Sequence, residues 1–439
     1  MDKVFKTPLR KFGSFFYVVL LSLCFMYLLY GIFIFFAQLF LSVIALFNKK
    51  IDLFVSGRKE TFEKLEDQIS LNDKVIWIHC ASLGEFEQGR PIIEKLKIQF
   101  PNHKIVLTFF SPSGYEVRKN YATADVVCYL PLDTKSNAIK FIEKVHPELA
   151  IFIKYEFWPN ILKQLKKKNI ETILVSGIFR KKQSFFRIYG SWMRKSLQTF
   201  SYFFVQDERS KQLLNSINFK NVAVSGDTRF DRVHAINQQN NFLEFMTNFK
   251  GEKLLFVAGS TWNEDEKIIV DYINNCELEH IKFVFAPHNI KSEEIKNLRE
   301  SINKKVILYS ERDDNDISKF DVLIIDTIGI LTKIYSYANI AYVGGAFATG
   351  LHNVLEPATF GLPIIIGPKY SKFKEAVELV ENKGCIVVNN AFEFEKVVNT
   401  LLSDSVFRTE KGEITNKYIV NNIGATPMIL DYINSKIKN

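Results

Sequence analysis

The chain has 439 residues, enough for two or three domains, and its 47% apolar and 24% charged residues exclude a disordered or low-complexity protein. Its 57 Lys and Arg against 48 Asp and Glu leave a net charge of +9, which suits an anionic membrane surface, a phosphorylated substrate or nucleic acid. Five cysteines without a CxxC pair argue against a disulfide framework, and neither they nor the seven histidines cluster at the spacing of a structural zinc site.

Residues 1–50 are predicted to be a membrane anchor. The run 12–48 contains no charged side chain, and it exceeds the ~20 residues that one membrane-spanning helix needs. It is also longer than the apolar core of a signal peptide, roughly 7–15 residues. Basic residues flank both ends, so a single span, a two-span hairpin, a re-entrant segment and a shorter span after a start at Met26 stay open. Reduced cysteines favour a body on the cytoplasmic side.

From Asp73 onward, short apolar runs alternate with amphipathic stretches, a pattern that predicts a parallel sheet covered by helices on both faces. Helices are expected at residues 91–100, 136–146 and 159–168. The strands of this first half are predicted at residues 75–80, 105–110, 126–130, 149–153, 172–175, 202–205 and 222–225.

A second α/β half follows a polar connection. Residues 236–251 include the run Asn-Gln-Gln-Asn-Asn and are predicted to be an interdomain linker. Strands then recur at residues 253–258, 281–286, 306–309, 322–325, 340–343, 363–366 and 385–388. Two Rossmann-like domains are therefore expected at 51–235 and 252–410, with ligands bound beyond the carboxyl ends of their strands. A helical tail, 411–439, could pack back on the first domain.

Charged side chains follow three strands of the first half. Glu85, in a Ser-Leu-Gly-Glu stretch before a helix expected to begin near 88–91, is a candidate general base, or else complements the helix dipole. Glu156 opens a Glu-Phe-Trp-Pro stretch and has the same two interpretations. Arg229 is suited to a phosphate contact, or else to a surface ion pair with Asp227 or Asp231.

Turns of small residues follow strands of the second half. Ser260 and Thr261 end an Ala-Gly-Ser-Thr turn whose N–H groups suit an anion. Gly344 and Gly345 begin a longer glycine-rich turn that leads to His-Asn-Val-Leu-Glu356-Pro. The glycines would let a phosphate approach the backbone and Glu356 would accept hydrogen bonds from ribose hydroxyls; a tight strand–helix turn is the structural alternative. The pattern is neither a Walker loop nor the dinucleotide fingerprint.

Residues 179–195 mix six basic with five aromatic side chains and contain no acid. One interpretation is an ordinary helix with a basic solvent face and an aromatic core face. The other is an interfacial segment in which Arg187, Arg194 and Lys195 guide a phosphorylated lipid acceptor to the first domain. Nucleic acid is a poor partner for a body that is anchored to a membrane.

Together these motifs resemble those of the 3-deoxy-D-manno-octulosonic acid (Kdo) transferases of Gram-negative bacteria. The resemblance runs from about Met26 to the C-terminal region. Six motifs occur in the family's order: Ser-Leu-Gly-Glu85, Glu156-Phe-Trp-Pro, Gly-Asp-Thr-Arg229-Phe-Asp, Ala-Gly-Ser-Thr261, Asp326-Thr-Ile-Gly and Gly-Gly…His-Asn-Val-Leu-Glu356-Pro. The resemblance implies an α/β fold of the GT-B type, with two facing Rossmann-like domains, an N-terminal membrane helix, and a catalytic body on the cytoplasmic face of the inner membrane.

The resemblance also implies an activity: an inverting glycosyltransferase that moves Kdo from CMP-Kdo to the 6′-hydroxyl of a lipid A precursor, lipid IVA, in lipopolysaccharide biosynthesis. The N-terminal domain would bind this acceptor and the C-terminal domain the CMP-sugar, without a metal or cofactor. Glu85 matches the family's general base, and Glu156 and Arg229 match residues that stabilise its transition state. Contacts to CMP map to Pro287, His288, Ile328, Gly329, Ile330, Asn353, Val354, Leu355 and Glu356.

The sequence departs from the family pattern at three places. The family commonly has Arg at the position of His288, Lys at that of Arg229, and Met-Gly-Glu at residues 328–330. Two other functions stay open beside Kdo transfer. One is a different membrane-associated GT-B glycosyltransferase that uses a UDP-sugar and a lipid acceptor, and the other is a catalytically inactive, membrane-tethered binding protein.

Overall fold

A computed structural model describes residues 8–187, 190–277, 279–348 and 350–437, with side chains from residue 25 onward. The first element is a single long helix, α1 (Pro8–Ala45). Its part Phe25–Ala45 is long and apolar enough to cross a membrane.

The two sides of this apolar helix differ in exposure. Ile34 lies on the side that packs on the body and is 9% exposed. Phe33, Phe36 and Phe40 share the other side at the spacing of helix turns and are 62–67% exposed. The helix therefore rests on the body along one face and presents large apolar side chains along the other.

A seven-stranded parallel sheet in the order β3-β2-β1-β4-β5-β6-β7 lies at the centre of the first half. Its strands are β1 (Lys74–Cys80), β2 (His103–Phe109), β3 (Val126–Tyr129), β4 (Leu149–Ile153), β5 (Glu171–Gly177), β6 (Tyr202–Val205) and β7 (Val222–Val224). The helices are α2 (Lys49–Ser56), α3 (Thr61–Gln68), α4 (Leu83–Gln99), α5 (Pro112–Arg118), α6 (Lys135–Val145), α7 (Pro159–Lys167), α8 (Ser191–Leu197), α9 (Glu208–Ser216) and α10 (Thr228–Asn237). Every strand predicted for this half is present, because continuous apolar runs buried on both faces are typical of parallel strands.

The start of α4 corrects one prediction. The sequence suggested a helix beginning near residues 88–91, because Pro favours the first turn of a helix. Instead α4 begins at Leu83, and Pro91 lies inside it. Ser82 adopts the extended conformation of a helix N-cap, and Glu85 therefore belongs to the first turn of α4 rather than to the loop before it.

A second seven-stranded parallel sheet has the order β10-β11-β9-β8-β12-β13-β14. Its strands are β8 (Leu254–Thr261), β9 (Ile281–Pro287), β10 (Val306–Leu308), β11 (Val322–Ile324), β12 (Ile340–Val343), β13 (Ile364–Ile366) and β14 (Cys385–Val387). The helices of this part of the chain are α11 (Glu244–Lys250), α12 (Asn263–Asn275), α13 (Ser292–Ser301), α14 (Leu331–Tyr335), α15 (Leu355–Thr359), α16 (Lys374–Glu381), α17 (Ala391–Ser403), α18 (Ser405–Val420) and α19 (Ala425–Lys436). All strands predicted for this half are present as well.

The chain divides into two compact units, one around each sheet. The first unit runs to Arg229 and also takes in the chain from Gly424 onward, and the second is Phe230–Ile423. The division falls within α10, and the segment predicted to be a linker contains α11. Helix α19 belongs to the first unit, where Ile429 and Ile433 join the hydrophobic core beneath its sheet.

In each sheet the strand order reverses direction between two neighbouring strands. The reversal lies between β1 and β4 in the first unit and between β8 and β12 in the second. Loops that leave such a pair at the carboxyl ends diverge to opposite faces of the sheet, which opens a crevice for a ligand. The predicted site residues Glu85, Glu156 and Gly344 follow β1, β4 and β12, and Ser260 lies at the carboxyl end of β8.

Candidate active site

Two carboxylates of the first unit follow the paired strands β1 and β4. Glu85 is 9% exposed and accepts a hydrogen bond from the Ser82 hydroxyl. The Glu156 side chain is 14% exposed, and its Oε2 accepts a hydrogen bond of 3.0 Å from the Trp158 indole. Burial, together with the charges of both carboxylates, raises the pKa of the Cys80 thiol. The structure therefore brings together the two acids that the sequence singled out.

A buried histidine beneath Glu156 was missed by the sequence analysis. His79 is fully buried in β1, with Nε2 3.5 Å from Glu156 Oε2. Its Nδ1 lies 2.9 Å from the hydroxyl of Thr108, which also accepts a hydrogen bond of 2.9 Å from the Trp77 indole. The one available signal was a histidine in an otherwise apolar strand, since buried polar side chains need partners.

Left-handed backbone at non-glycine residues marks three strand ends. Lys154, between β4 and Glu156, has a φ of 74°, and its N–H donates to the Val175 carbonyl at 2.8 Å. Ser176 in β5 and Ser260 in β8 have φ values of 53° and 54°. Such conformations are unfavourable for residues with a Cβ and concentrate where a site requires a sharp turn.

Arg229 is held by its neighbour Asp227. Its Nε and a terminal guanidinium nitrogen donate to Asp227 Oδ2 at 3.0 and 2.9 Å, so the ion pair that was the alternative to a phosphate contact is present. Asp227 also accepts a hydrogen bond of 2.9 Å from Gln88, which lies one turn after Glu85 on α4. The segment with Arg229 is thereby tied to the helix that carries the candidate base.

Three stacked rings cover the corresponding edge of the second unit. The His288 ring stacks against both Trp262 and His352, with centroids 4.8 and 4.5 Å away. His352 Nε2 accepts a hydrogen bond of 2.9 Å from the Trp262 indole, so its Nδ1 carries the hydrogen. Burial and the neighbouring His288 lower the pKa of His352 to about 4, which keeps this ring uncharged at neutral pH. Trp262 and His352 were not among the predicted site residues.

Asp265 organises the backbone below these rings. It is fully buried in the first turn of α12 and accepts hydrogen bonds from the N–H groups of Trp262 and Gly345, at 2.9 and 2.8 Å. The Tyr342 hydroxyl donates to its other oxygen at 2.7 Å. Burial raises the pKa of Asp265, and these three donors oppose part of that shift by favouring the charged form.

The glycine-rich turn is needed for close packing. A Cβ on Gly344 would lie 2.4 Å from the Ser260 carbonyl oxygen, and Gly345 has a φ of +94°. The Gly344 N–H donates to the Gly259 carbonyl, while the Gly345 N–H already binds Asp265. These two amides are therefore engaged within the protein, as in the structural alternative of a tight turn, and phosphate contacts at Gly344 and Gly345 stay a prediction.

Glu356 lies in the first turn of α15 and is held from two sides. Its Oε2 accepts a hydrogen bond of 2.8 Å from Thr332 on α14, and its Oε1 accepts one of 3.1 Å from Asn353. Burial lowers the pKa of Arg232, and attraction to Glu356 opposes this shift, so the two side chains lie near each other. Arg232 is a further cation of this edge that the sequence analysis did not select.

The other residues predicted to contact CMP or phosphate differ in what they can offer. Val354 and Leu355 are buried in the core, which leaves only their backbone for a ligand. Ile328 is 82% exposed, and Gly329 beside it has a φ of +97°. The remaining positions are Pro287 at the end of β9, Ile330 directly before α14, and Thr261, whose hydroxyl donates to Glu266 at 2.8 Å.

The basic and aromatic stretch is not one helix, which corrects the first of its two interpretations. Its described residues contain the 3-10 turn Ser184–Phe186 and then α8, while Ile188 and Tyr189 lie outside the described residues. Phe185 is buried in the core, and Arg194 donates to the carbonyls of Phe185 and Arg187 at 2.8 and 3.0 Å. Arg194 thus has a structural role, because it holds the backbone of residues 185–187 against α8. Arg187 and Lys195 are exposed.

The same stretch contacts the apolar helix α1. The Trp192 ring lies 5.9 and 6.0 Å from the rings of Tyr27 and Tyr30. The Tyr30 hydroxyl donates to Asp133 Oδ2 at 2.9 Å. Asp133 is fully buried, accepts two backbone N–H groups at the start of α7, and has its pKa raised by burial to about 7.

Among the described residues with side chains, no group of three or more His, Cys, Asp and Glu is arranged to hold a metal ion. The two edges described above therefore consist of carboxylates, cations, hydroxyls and aromatic rings.

The family model for 3-deoxy-D-manno-octulosonic-acid transferases (Kdo transferases) matches residues 56–232, which include Glu85, Glu156 and Arg229. The 3-deoxy-D-manno-octulosonic acid transferase of Haemophilus influenzae is 27% identical over 376 residues, which cover 82% of this chain and 86% of that protein. The chain is therefore similar to the Kdo transferase family, through the family model in its first half and through relatives along most of its length. A further relative, a bifunctional glycosyltransferase/methyltransferase of Fusobacterium nucleatum, is 27% identical over 368 residues. The match covers 81% of the present chain but only 56% of the length of that relative.

Solved structures bear on the fold. The UDP-GlcNAc 2-epimerase of Neisseria meningitidis superposes with a TM-score of 0.55 at 14% identity, over 82% of this chain and 100% of that one. At this identity the likeness concerns architecture alone. The predicted fold class is confirmed: an α/β chain of the GT-B type with two Rossmann-like units and an apolar N-terminal helix.

Proposed function

We propose that this chain is a Kdo transferase that transfers Kdo from CMP-Kdo to a hydroxyl group of a lipid A precursor, lipid IVA, with inversion at the anomeric carbon. One observation carries the proposal beyond the similarity to that family. Glu85 is buried and Glu156 is half-buried, both act on the Cys80 thiol, and they follow adjacent strands at the point where the strand order reverses. Two carboxylates in such a crevice can take up a proton and stabilise positive charge in the same reaction.

In the proposed reaction Glu85 is the general base. As the acceptor oxygen attacks the anomeric carbon of Kdo, the Glu85 carboxylate takes the hydroxyl proton. The bond from that carbon to the phosphate oxygen breaks, and CMP leaves with the electron pair. Ser82 orients the base by donating a hydrogen bond to it. Glu156 stabilises the positive charge that the sugar ring develops, since a fixed charge in a buried site is more effective than in water.

The second unit would bind the donor. The stacked rings of Trp262, His288 and His352 offer a flat, largely uncharged surface that suits a nucleoside. Glu356, fixed by Thr332 and Asn353, would accept hydrogen bonds from the ribose hydroxyls. Cationic side chains would stabilise the negative charge of the departing phosphate, and the family pattern assigns this role to Arg229.

The first unit would bind the acceptor and contact the membrane. The exposed phenylalanine face of α1 would enter the lipid of the inner membrane, leaving the body on the cytoplasmic face. The exposed cations Arg187 and Lys195 lie in the stretch that contacts α1 through Trp192. Cations beside an apolar, membrane-bound helix suit an acceptor that combines phosphates with acyl chains.

The test uses the full chain purified in detergent with CMP-Kdo and lipid IVA, and it measures CMP release and the product mass. We expect CMP release that requires both substrates, and an acceptor whose mass rises by one or more Kdo units. Turnover with a UDP-sugar and a lipid in place of CMP-Kdo would favour the alternative glycosyltransferase. Tight CMP binding without turnover of either donor would favour an inactive binding protein.

A further inference from the structure

Below Glu156 lies an arrangement of hydrogen-bonding groups that the proposed reaction does not use. His79 is fully buried in β1, and its two ring nitrogens face different partners. Nδ1 faces the Thr108 hydroxyl at 2.9 Å, and Nε2 faces Glu156 Oε2 at 3.5 Å. The Trp158 indole lies above both, 3.0 Å from Glu156 Oε2 and 3.3 Å from His79 Nε2.

The hydroxyl of Thr108 decides which nitrogen of His79 carries hydrogen. Its oxygen accepts the indole hydrogen of Trp77 at 2.9 Å, and its own hydrogen has two possible acceptors. One is His79 Nδ1 at 2.9 Å, and the other is the Ile78 carbonyl at 3.5 Å. Because the shorter contact is the better hydrogen bond, Thr108 donates to Nδ1, and a neutral His79 carries its hydrogen on Nε2.

The side facing Glu156 leads to the same assignment. If Nε2 had only its lone pair, it would face the ionised oxygen of Glu156 as a second acceptor. The Trp158 indole has a single hydrogen, which it would have to share between Glu156 Oε2 at 3.0 Å and His79 Nε2 at 3.3 Å. A shared hydrogen makes two weak bonds, and His79 is fully buried, where a poorly satisfied acceptor is costly. A hydrogen on His79 Nε2 removes this conflict and gives the Glu156 carboxylate a second N–H donor.

We propose that His79 is a positioning residue for Glu156, whose carboxylate it holds in one orientation by donating the Nε2 hydrogen to it. The separation of 3.5 Å is long for a hydrogen bond, so the proposed contact requires these two atoms to move closer together when substrate binds. Other titratable groups at this face are the Cys80 thiol of β1 and, next to that thiol, Glu85 of α4. The consequence for catalysis rests on the proposed function, whereas the position of the hydrogen does not.

Two substitutions separate the positioning role from simple packing. In His79→Gln the side-chain amide can occupy the place of Nε2 and still donate to Glu156. In His79→Asn the shorter amide reaches only the place of Nδ1, beside Thr108. Both substitutions remove the imidazole ring of His79 from the same buried position, so the loss of its packing contacts affects both variants. The difference between the two variants therefore reports the donor to Glu156.

The kinetic readout is kcat and KM for transfer, with melting temperature and CMP affinity measured beside them. We expect His79→Asn to lower kcat by about 10- to 100-fold, the usual effect of losing a hydrogen bond to a charged group. His79→Gln should recover most of that loss, with KM and CMP affinity near those of the unmodified chain. Equal losses of kcat in the two variants, parallel to equal losses of stability, would reduce His79 to a packing role.

A second readout does not depend on activity. Chain labelled with ¹⁵N-histidine is examined by NMR at neutral pH, with the His79 signals assigned by their loss in His79→Gln. We expect Nε2 to be protonated. A hydrogen on Nδ1 with an unprotonated Nε2 would overturn the proposal whatever the enzyme does. If the unmodified chain releases no CMP from CMP-Kdo, the proposed function fails, while this measurement still decides the His79 contact.

Discussion

Single carboxylates carry most of the proposed chemistry, and their neighbours define the controls. Glu85→Gln keeps the size of the side chain and its contact with Ser82 but cannot take up a proton. We expect the variant to fold and to lose transfer by about 10²- to 10⁴-fold, the usual contribution of a general base. The measurement is CMP release at saturating CMP-Kdo and lipid IVA.

Glu87→Gln is the matched control for this change. Glu87 lies on the same helix, but its Oε1 points to Arg118 at 3.1 Å. It should keep most of the activity. Near-normal transfer by Glu85→Gln, or an equal loss in Glu87→Gln, would reject Glu85 as the base.

Glu356 offers a test of the donor side. Removing it in Glu356→Ala deletes the carboxylate expected to bind the ribose, and we expect CMP to bind about 10- to 100-fold more weakly, as for the loss of hydrogen bonds to a charged group. Affinity for the lipid acceptor should not change. Thr332→Val is the control, because it removes one hydrogen bond that holds Glu356 but leaves the carboxylate. Unchanged CMP affinity in Glu356→Ala, measured by calorimetry, would remove the ribose assignment.

At the scale of elements, the contact of α1 with α7 depends on one buried acid. Burial raises the pKa of Asp133 to about 7, well above the usual value near 4. Between these two values the unfolded chain is ionised at this residue while the folded chain keeps its proton. The stabilisation is therefore complete below about pH 4 and is lost as the pH rises to about 7.

Asp133→Asn should abolish this component. We expect the melting temperature of the variant, measured in detergent, to fall less between pH 4 and pH 7 than that of the unmodified chain. Asp207→Asn is the control, since Asp207 also accepts a backbone N–H at a helix start, at 2.7 Å, but is only partly buried. Identical pH profiles for Asp133→Asn and the unmodified chain would show that Asp133 does not titrate in this range.

The basic stretch beside α1 leads to a prediction about lipid. Exposed Arg187 and Lys195 are each expected to contribute roughly 1 kcal/mol near an anionic surface, so changing both to Gln should weaken vesicle binding by about 30-fold. The apparent KM for lipid IVA should rise, and CMP affinity should stay the same. Arg194→Gln should differ by lowering the melting temperature, because Arg194 binds two carbonyls within the fold. Unaltered vesicle binding and acceptor kinetics in the double variant would leave the stretch a structural role only.

For the whole molecule, the C-terminal helix α19 completes the core of the first unit. Ile433 is fully buried beneath the first sheet, whereas Met428 on the same helix is 42% exposed. Ile433→Ala should lower the free energy of unfolding of this unit by about 2–5 kcal/mol, the usual result of truncating a buried aliphatic side chain. Met428→Ala should change it little. Denaturant unfolding would contradict the assignment if the two variants were equally stable.

Much of this fold could be predicted, because its strands and its apolar helix depend on patterns of residues that are close together in the sequence. All strands of both sheets follow from continuous apolar runs between turn residues, and the apolar helix α1 follows from a long run without charge. Helix α4 begins earlier than its proline predicts, because Ser82 is the N-cap and Pro91 is accommodated inside the helix. The basic and aromatic stretch was open to interpretation as a helix, since its composition does not show that Phe185 is drawn into the core.

The sequence by itself determined the fold class, the strands and the apolar helix, and it predicted Glu85 and Glu156 as site residues, because each of these depends on residues adjacent in the chain. Only the tertiary structure decided what surrounds those acids. His79 forms a hydrogen bond with Thr108 of a neighbouring strand. Trp262 bonds His352, which is 90 residues away in the sequence, and Tyr30 bonds Asp133, which is 103 residues away. No local pattern encodes such partners, because parallel pairing and helix packing join segments that are far apart in sequence. A buried polar side chain acquires its role only from the partner that folding brings to it.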